Sequence, residues 1–340
     1  MKPLSAFFIF AMPLIVIAVF WIMAHLERRA LPHPKPPTFV QRNGWPVSMY
    51  LLIGVGFWAL ILIIFPLLYM VDFSFLPKLR LSEKGGPKDV YTLENYRYFL
   101  TGSAQPREQW AWNTTHLWAF GVTIIMSLLI TILNFVVCYP IAFFMAQVAT
   151  PSSLRKYTLL LITPYWVNEI LRAFAFFLLF GTSGFLNKAL LGIGILSEPI
   201  DFIGKDVALY AGLTYAYLLL MLLPLYNAIE ALDRNQIEAA RDLGAPTWRI
   251  HKDVVMPFAK PGIASGCTLV FMLSAGALAA PLLLGGPKTL WFTPIVYDRF
   301  YQAFNWNQGS AYALVLLLAC VAFVLVMMRL FKVSFAEITR

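Results

Sequence analysis

The chain has 340 residues, of which 60% are hydrophobic and 13% are charged, and its mean hydropathy is +0.71. These values weigh against a water-soluble enzyme and, with 16% aromatic residues, exclude a disordered chain. The formal charge of +9 fits nucleic acid binding, anionic lipid binding, or the cytoplasmic loops of a protein that crosses a membrane several times.

Seven apolar runs are long enough to cross a bilayer, whose hydrocarbon core requires about 20 helical residues. The predicted spans are roughly residues 4–24, 48–71, 117–146, 157–180, 207–229, 263–284 and 309–328. The first run is followed by Arg28 and Arg29 and lacks a small-residue cleavage site, which favours an uncleaved anchor over a signal peptide. We therefore predict an all-α polytopic membrane protein with about seven transmembrane helices.

Basic residues are more frequent in the loops on one side of these spans. Fourteen Lys and Arg residues lie in segments 25–47, 147–156, 230–262 and 329–340, and eleven lie in the other loops and at Lys2. The positive-inside rule places the first group in the cytoplasm, with the N-terminus outside and the C-terminus inside. Because the basic residues are divided among short loops, we expect the lipid bilayer and not nucleic acid as a partner.

Cysteine and histidine give no ligand pattern. The residues concerned are Cys138, Cys267 and Cys320, in apolar stretches, and His25, His33, His116 and His251. None has a second ligand type at the spacing of a metal site, and the cysteines have no paired spacing. We predict no metal site and small buried cysteines, and no nucleophile and base pair supports an enzyme.

The loop at 230–262 has a composition suited to contact with a protein. It carries five basic and five acidic residues, so it has little reason to adhere to anionic lipid. Asp233 can cap a helix over about 234–243, Gln236 would complete a capping-box-like pair, and Gly244 suits the C-terminal stop. A stripe at near-helical spacing comprises Leu232, Gln236, Ala239, Ala240 and Leu243. The stripe predicts a docking face, and an ordinary solvated connector is the alternative.

One motif in this loop resembles a known family signature. Glu238-Ala239-Ala240 is followed after three residues by Gly244, after nine more by Val254, and after one more by Met256-Pro257. The pattern resembles the EAA signature of MetI-like (type I) ABC importer permeases, with Val254 and Met256 in place of the usual Ile and Leu. The resemblance implies a MetI-like helix bundle with a cytoplasmic coupling helix that docks on an ATP-binding subunit. The implied coupling residues are Glu238, Ala239, Ala240, Gly244 and Pro257.

Other segments are similar to the spermidine/putrescine branch of that family. They are Leu93-Glu94-Asn95-Tyr96, Pro164-Tyr165-Trp166 followed by Arg172, Gly184 with Asn187, and Leu284-Gly285-Gly286-Pro287-Lys288-Thr289. The resemblance covers about 48–335. Residues 1–47 are then an extra N-terminal transmembrane helix with a cytoplasmic linker, and 336–340 are a cytoplasmic tail.

The span at 157–180 is the least lipid-like. Tyr165, Glu169, Arg172 and Phe176 step by four, three and four residues, so they would share one face of a helix. Ionisable groups at membrane depth usually face the bundle interior or a wet cavity. The candidate substrate pathway comprises Tyr165, Trp166, Glu169 and Arg172. The alternative is an i, i+3 ion pair between Glu169 and Arg172. The carboxylate of Glu169 would suit a cationic ligand.

Two further spans carry small or polar stripes. Thr123, Ser127, Thr131, Asn134 and Cys138 share a face of the third span. Gly262 and Gly266 form a GxxxG motif at the start of the sixth. We expect these faces to be helix-packing surfaces, with a pore-lining role for Asn134 as the alternative.

The chain carries no nucleotide-binding motif of its own. The nearest sequence to a phosphate loop, at 285–289, has Pro287 in place of the Gly before Lys288. We therefore expect no cofactor on this chain, with ATP and Mg²⁺ on a cytoplasmic ABC ATPase dimer.

The resulting hypothesis is a permease subunit, not an enzyme, of a binding-protein-dependent ABC importer in the bacterial inner membrane. The resemblance implies a periplasmic solute-binding protein, a second permease subunit that is paralogous or identical, and a small, polyamine-like substrate. The alternative is an ion- or proton-coupled secondary transporter, for which Glu169 and Arg172 are the candidate coupling groups.

Overall fold

The computed structural model describes residues 44–83, 85–102, 111–286 and 289–333. The predicted N-terminal span at 4–24 and the predicted tail at 336–340 lie outside these ranges. Within them the chain is helical and has no strand, as an all-α protein requires.

The helices are numbered here in chain order. They are α1 (Trp45–Ala59, continued by the π-helical turn Leu60–Ile64 and by Phe65–Ser74), α2 (Glu94–Thr101), α3 (Thr114–Phe143, continued by the π-helical turn Phe144–Val148), α4 (Pro151–Ile162), α5 (Glu169–Phe180), α6 (Phe185–Gly192), α7 (Val207–Glu230), α8 (Arg234–Asp242), α9 (Thr247–Ile250), α10 (Lys260–Ala275), α11 (Ala279–Leu284), α12 (Phe292–Tyr301) and α13 (Trp306–Phe331). Short helical turns at Leu81–Glu83, Thr163–Trp166, His251–Val255 and Met256–Phe258 lie between them.

The described residues contain five helical segments long and apolar enough to cross a membrane. They are Ser48–Ser74, Thr114–Val148, Glu169–Gly192, Val207–Glu230 and Trp306–Phe331. A sixth is added if the pair Thr247–Phe258 and Lys260–Ala275, bent by 75°, forms one span. Four predicted spans, at 48–71, 117–146, 207–229 and 309–328, are thereby confirmed to within a few residues.

The prediction of one continuous helix over 157–180 is wrong. Helix α4 ends at Ile162, a 3₁₀ turn follows, and α5 begins only at Glu169. Pro164 contributes to the break, because it has no N–H to donate and its ring clashes with the preceding helical turn, although Pro140 and Pro224 lie inside continuous helices. The new helix is started by Asn168, whose side-chain oxygen accepts a hydrogen bond from the backbone N–H of Ile170 at 2.9 Å.

The predicted span at 263–284 is also divided. Helix α10 ends at Ala275, and α11 starts at Ala279 after an irregular turn. The hydroxyl of Thr293 donates to the carbonyl of Ala277 in that turn. This bond satisfies a carbonyl that the break leaves without a helical partner.

The described chain divides into two compact units. Residues of 44–98 and 303–314 belong to the first, and residues of 99–102, 111–302 and 315–333 belong to the second. In the second unit, α7 packs against α3 and α10, and α5 packs against α7 and α11. The candidate site residues all lie in this second unit.

In the first unit, the start of α2 and the loop before it hold the end of α1. The side-chain amide of Asn95 donates to the carbonyls of Ser74 and Leu76, each at 2.9 Å. The hydroxyl of Tyr91 donates to Asp72 Oδ1 at 2.8 Å. Burial and the bond to Asp72 raise the pKa of Tyr91 to about 12, so it stays a neutral donor at physiological pH. Asn95, from the segment Leu93-Glu94-Asn95-Tyr96 noted in the sequence, thus stabilises the end of α1.

In the second unit, the predicted packing faces are confirmed. A Cβ built on Gly262 would lie 2.4 Å from the carbonyl oxygen of Pro224, and one on Gly266 would lie 2.7 Å from the sulfur of Met221. Only glycine therefore allows α10 to lie this close to α7. The predicted stripe on α3 is buried along its length; its residues are Thr123, Ser127, Thr131, Asn134 and Cys138.

Candidate functional site

Helix α8 begins at the predicted cap, but the bonding differs from the prediction. The carboxylate of Asp233 accepts a hydrogen bond from the backbone N–H of Asn235 at 3.0 Å. The expected reciprocal bond from the Gln236 side chain is not formed among the described residues, so the capping-box prediction is wrong. Gln236 only donates its backbone N–H to the carbonyl of Asp233, at 3.1 Å. The simple Asx-type cap is sufficient because it satisfies one of the free N–H groups of the first turn.

The C-terminus of α8 is closed by Gly244, as predicted. This glycine has φ +78°, and its N–H donates to the carbonyl of Arg241 at 2.8 Å. The next N–H, of Ala245, reaches back to the carbonyl of Ala240 at 3.0 Å. These two bonds form a Schellman motif, which favours glycine at the left-handed position. Gly244 therefore fixes the direction in which the chain leaves the helix.

The predicted stripe does not form one exposed face. Leu232 is buried, and the residue that anchors α8 on the bundle is Ile237, which is only 5% exposed. Glu238 and Ala239 are exposed, Ala240 is half-buried, and Leu243 is 87% exposed. Leu232 lies before the helix, so helical spacing does not apply to it. The surface that α8 offers to a partner thus includes Gln236, Glu238, Ala239 and Leu243.

A side chain that the sequence did not single out supports the start of α8. The amide nitrogen of Gln147, at the end of α3, donates to the carbonyls of Ile229 at 2.7 Å and Leu232 at 3.2 Å. Ile229 lies in the last turn of α7, and Leu232 lies directly before the cap at Asp233. Gln147 therefore connects the third predicted span to the base of α8.

The second half of the 230–262 loop is also held by α3. The hydroxyl of Tyr139 lies 2.9 Å from Nδ1 of His251, and the ring of Phe143 is 4.4 Å from the imidazole. Pro257, the last of the predicted coupling residues, is exposed in the following turn. The motif residues thus lie on two arms of one loop, both supported by α3.

The candidate pathway is built around Tyr165, in the 3₁₀ turn that separates α4 from α5. Its hydroxyl donates to the carbonyl of Tyr215 and accepts from the N–H of Leu219, each at 2.8 Å. These two backbone groups are four residues apart in α7, so they would pair with each other in an uninterrupted helix. The phenol bridges them and pins the break in the fourth span to α7.

Arg172 lies beside this tyrosine. Its guanidinium carbon is 5.0 Å from the centroid of the Tyr165 ring, within cation–π range. Its Nε and Nη1 atoms are buried and have no hydrogen-bond partner in the described part of the chain. No ion pair joins Arg172 to Glu169 among the described residues. The i, i+3 pair considered from the sequence is therefore absent.

The remaining predicted pathway residues lie apart from this contact. Glu169 is exposed in the first turn of α5, and Trp166 is 84% exposed. The helix break is the reason that Tyr165 and Trp166 do not continue the face of α5. The structure adds a residue instead: Tyr215 stacks on Tyr165 with ring centroids 6.2 Å apart and contacts Phe176 at 5.3 Å. An aromatic residue in an apolar span gives no sequence signal for such a role.

Neither the 230–262 loop nor the cluster at Tyr165 contains a set of side chains suited to a metal ion. The described residues contain no group of three or more His, Cys, Asp or Glu side chains placed to hold an ion. The arrangement instead combines an exposed helix on a supported loop with an aromatic and charged cluster at a broken span. Such an arrangement can transmit movement and contact a solute.

Comparison with known proteins agrees with the geometry. Residues 139–336 match the family described as "Binding-protein-dependent transport system inner membrane component". The spermidine/putrescine transport system permease protein PotB of Haemophilus influenzae is 34% identical over 270 residues, covering 78% of this chain and 88% of that protein. PotB of Escherichia coli K12 is 30% identical over 267 residues, covering 78% and 91%.

A solved structure shares the fold. A chain of a bacterial ABC transporter involved in the import of the acidic polysaccharide alginate superposes with a TM-score of 0.64 at 16% identity. The match covers 86% of this chain and 96% of that chain.

These matches decide between the functions considered from the sequence. A binding-protein-dependent component has no need of the ion coupling that a secondary transporter requires, and a permease is not an enzyme. The chain belongs to the family of inner membrane components of binding-protein-dependent transport systems and is a MetI-like permease subunit of an ABC importer.

Proposed function

We propose that this permease imports small organic cations of the polyamine class. The observation that carries the proposal is the carboxylate of Glu169, which is exposed and has no ion pair among the described residues. It lies in α5, the helix that also carries Phe176, whose ring contacts Tyr215, which in turn stacks on Tyr165. A carboxylate and aromatic faces are the groups that attract an ammonium ion. The names of the PotB relatives support the same class of solute.

In this proposal Arg172 limits the affinity of the pathway for a cationic substrate. Its charge lies on the ring of Tyr165, where a substrate ammonium would otherwise bind. A transport pathway requires binding that is favourable enough for entry and weak enough for exit. A fixed cation three residues from Glu169 in α5 would lower the net negative charge of this region and would prevent a polyamine from being trapped.

The second element of the proposal is a cytoplasmic ABC ATPase dimer that docks on α8. The exposed face with Glu238, Ala239 and Leu243 is offered to that partner, while Ile237 holds the helix on the bundle. ATP and Mg²⁺ would bind on those subunits. Closure of the ATPase dimer would push on 234–244, and Gln147 would pass the movement to the end of α3.

The remaining partners follow from the same mode of transport. We place the 230–262 loop and the C-terminus in the cytoplasm and the N-terminus in the periplasm, as the loop charges favour. A periplasmic solute-binding protein would deliver the solute, and a second permease subunit, paralogous or identical, would complete the pathway. Residues 1–47 would add one more transmembrane helix and a cytoplasmic linker.

The test is uptake by the reconstituted importer. The full chain is purified with its ATPase, second permease and binding protein, placed in proteoliposomes, and supplied with ATP and either labelled putrescine, labelled spermidine or a neutral disaccharide. We expect ATP-dependent accumulation of a polyamine and none of the sugar. Accumulation of a neutral or anionic solute, with polyamines neither transported nor competing, would contradict the substrate class.

A further inference from the structure

A groove lies between α3, α10 and α13, and none of the residues of the Tyr165 cluster lines it. Its volume is about 580 Å³. Its apolar walls come from side chains such as Ile132 and Phe135 of α3, Ile263 of α10, and Met327 and Leu330 of α13. The lining residues extend over eight residues of α3, eight of α10 and nine of α13, or about 11 Å along the helix axis. This is roughly two thirds of the 15 Å depth of one leaflet of the hydrocarbon core.

One end of the groove is basic. Lys252 and Lys260 line it there, and both are exposed. Neither forms an ion pair with a carboxylate in the described part of the chain. Both lie in the 230–262 loop, which is proposed above to face the cytoplasm. The loop as a whole is neutral and has little attraction for an anionic membrane surface, but an apolar groove that ends at two lysines without an ion pair is complementary to a single lipid with a negative headgroup.

A tryptophan typical of membrane interfaces lies next to the basic end of the groove. Trp248 is 60% exposed, and its ring is contacted by the guanidinium of Arg249 at 5.5 Å and by the ammonium of Lys252 at 5.8 Å. Tryptophan and basic side chains concentrate where the headgroups of a bilayer begin. With the 230–262 loop in the cytoplasm, the lysines of the groove would lie at headgroup depth and its apolar part would face the inner leaflet.

We infer that this groove is a binding site for one anionic phospholipid of the inner leaflet. The phosphate lies between Lys252 and Lys260, and an acyl chain lies along Ile132, Ile263 and Leu330. The bound lipid joins the loop that carries α8 to three spans of the bundle. The site depends on the cytoplasmic placement of the 230–262 loop but not on the polyamine assignment.

The first test measures lipid binding by the purified full chain in detergent, by native mass spectrometry with added phosphatidylglycerol or phosphatidylcholine. We expect a bound phosphatidylglycerol and a weaker phosphatidylcholine adduct. Each lysine near an anionic headgroup is worth a factor of about five in affinity, so Lys252→Gln with Lys260→Gln should weaken phosphatidylglycerol binding about 25-fold. The matched control, Lys188→Gln with Lys205→Gln, removes two exposed lysines elsewhere and should change it less than twofold. Equal binding of both lipids, or equal loss in both double variants, overturns the proposal.

The second test probes the apolar part and its occupant. Ile132→Trp fills the groove without changing charge and should displace the lipid, whereas Ile125→Trp, on the exposed surface of the same helix outside the groove, should not. In the assembled importer, a photoreactive residue at Ile132 should cross-link to phospholipid. A cross-link to another protein subunit, or unchanged binding in Ile132→Trp, contradicts the inference. Labelling of single cysteines at Lys252 and Lys260 from each membrane side separates a wrong topology from a wrong ligand.

Discussion

The side-chain amide of Gln147 donates a 2.7 Å hydrogen bond to the carbonyl of Ile229, and this contact ties the end of α3 to the base of α8. The same nitrogen also donates to Leu232. Movement of α8 is therefore coupled to two spans of the bundle. This contact gives the first prediction.

Gln147→Leu removes the side-chain donor from both carbonyls. The carbonyl of Ile229 keeps its bond from the N–H of Leu232 at 3.1 Å, whereas that of Leu232 loses the donor. The loss of one such hydrogen bond costs about 0.5–1.5 kcal/mol, so the base of α8 should loosen. We expect ATP hydrolysis to continue while solute moved per ATP falls several-fold, measured by parallel uptake and phosphate release in proteoliposomes. Gln302→Leu, at an exposed position, is the matched control. An unchanged ratio of solute moved to ATP hydrolysed in Gln147→Leu would show that this contact does not transmit movement from α8 to the bundle.

Gly262→Ala tests the close approach of α10 to α7. The added methyl would lie 2.4 Å from a backbone oxygen of Pro224 and 2.5 Å from Cβ of Ala228, neither of which can move freely. We expect a loss of about 1–3 kcal/mol in stability, seen as a lower melting temperature of the purified chain. Gly266→Ala should cost less, because its closest neighbour is the flexible side chain of Met221.

The control for this series is Gly121→Ala, where a new Cβ meets nothing within 4 Å. It should leave the melting temperature unchanged or raise it slightly, since alanine favours helix more than glycine does. If all three variants melt alike, the two helices are not held by this contact.

Substitution of Gly244 tests whether this residue is needed for its backbone conformation or for a surface contact. No atom lies within 4 Å of a Cβ built there, so the cost of substitution comes from its φ of +78°. Gly244→Val should misdirect the chain after α8 at a cost of at least about 1–2 kcal/mol, whereas Gly244→Asn should be tolerated. Co-purification of the ATPase with each membrane-inserted variant is the measurement. Loss of the ATPase in both variants would point to a surface contact instead.

Glu169→Gln tests the pathway without altering shape. Because the carboxylate is exposed, its attraction for an ammonium ion is worth about 1 kcal/mol at most, so KM for uptake should rise up to about fivefold. The complex should remain assembled by size-exclusion chromatography. Glu198→Gln, in an exposed position outside the pathway, should transport normally. Equal kinetics in wild type and Glu169→Gln would remove this carboxylate from the pathway.

Features encoded by local sequence were predictable. Asp233 and Gly244 set the two ends of α8 through short-range bonds, and apolar runs without an internal proline, such as 309–328, formed helices as expected. The glycines of α10 also gave a local signal for close packing.

Features that depend on contacts between distant segments were not. Pro164 marked a disturbance, but the length of the break could not be predicted because it depends on the bond of Tyr165 to α7. Gln147 gave no signal, since its partners are backbone carbonyls more than 80 residues away. Ile237 was overlooked because a single buried residue in a polar helix leaves little periodicity.

The central claim is that α8 faces the cytoplasm and receives an ATPase, and Leu243→Cys tests it most directly. The side chain is 87% exposed, while Cys138, Cys267 and Cys320 are buried and should give little background. A membrane-impermeant maleimide should label Leu243→Cys in inverted vesicles and not in intact spheroplasts, and the assembled ATPase should protect it. Labelling from the periplasmic side, or no protection by the ATPase, would contradict the account.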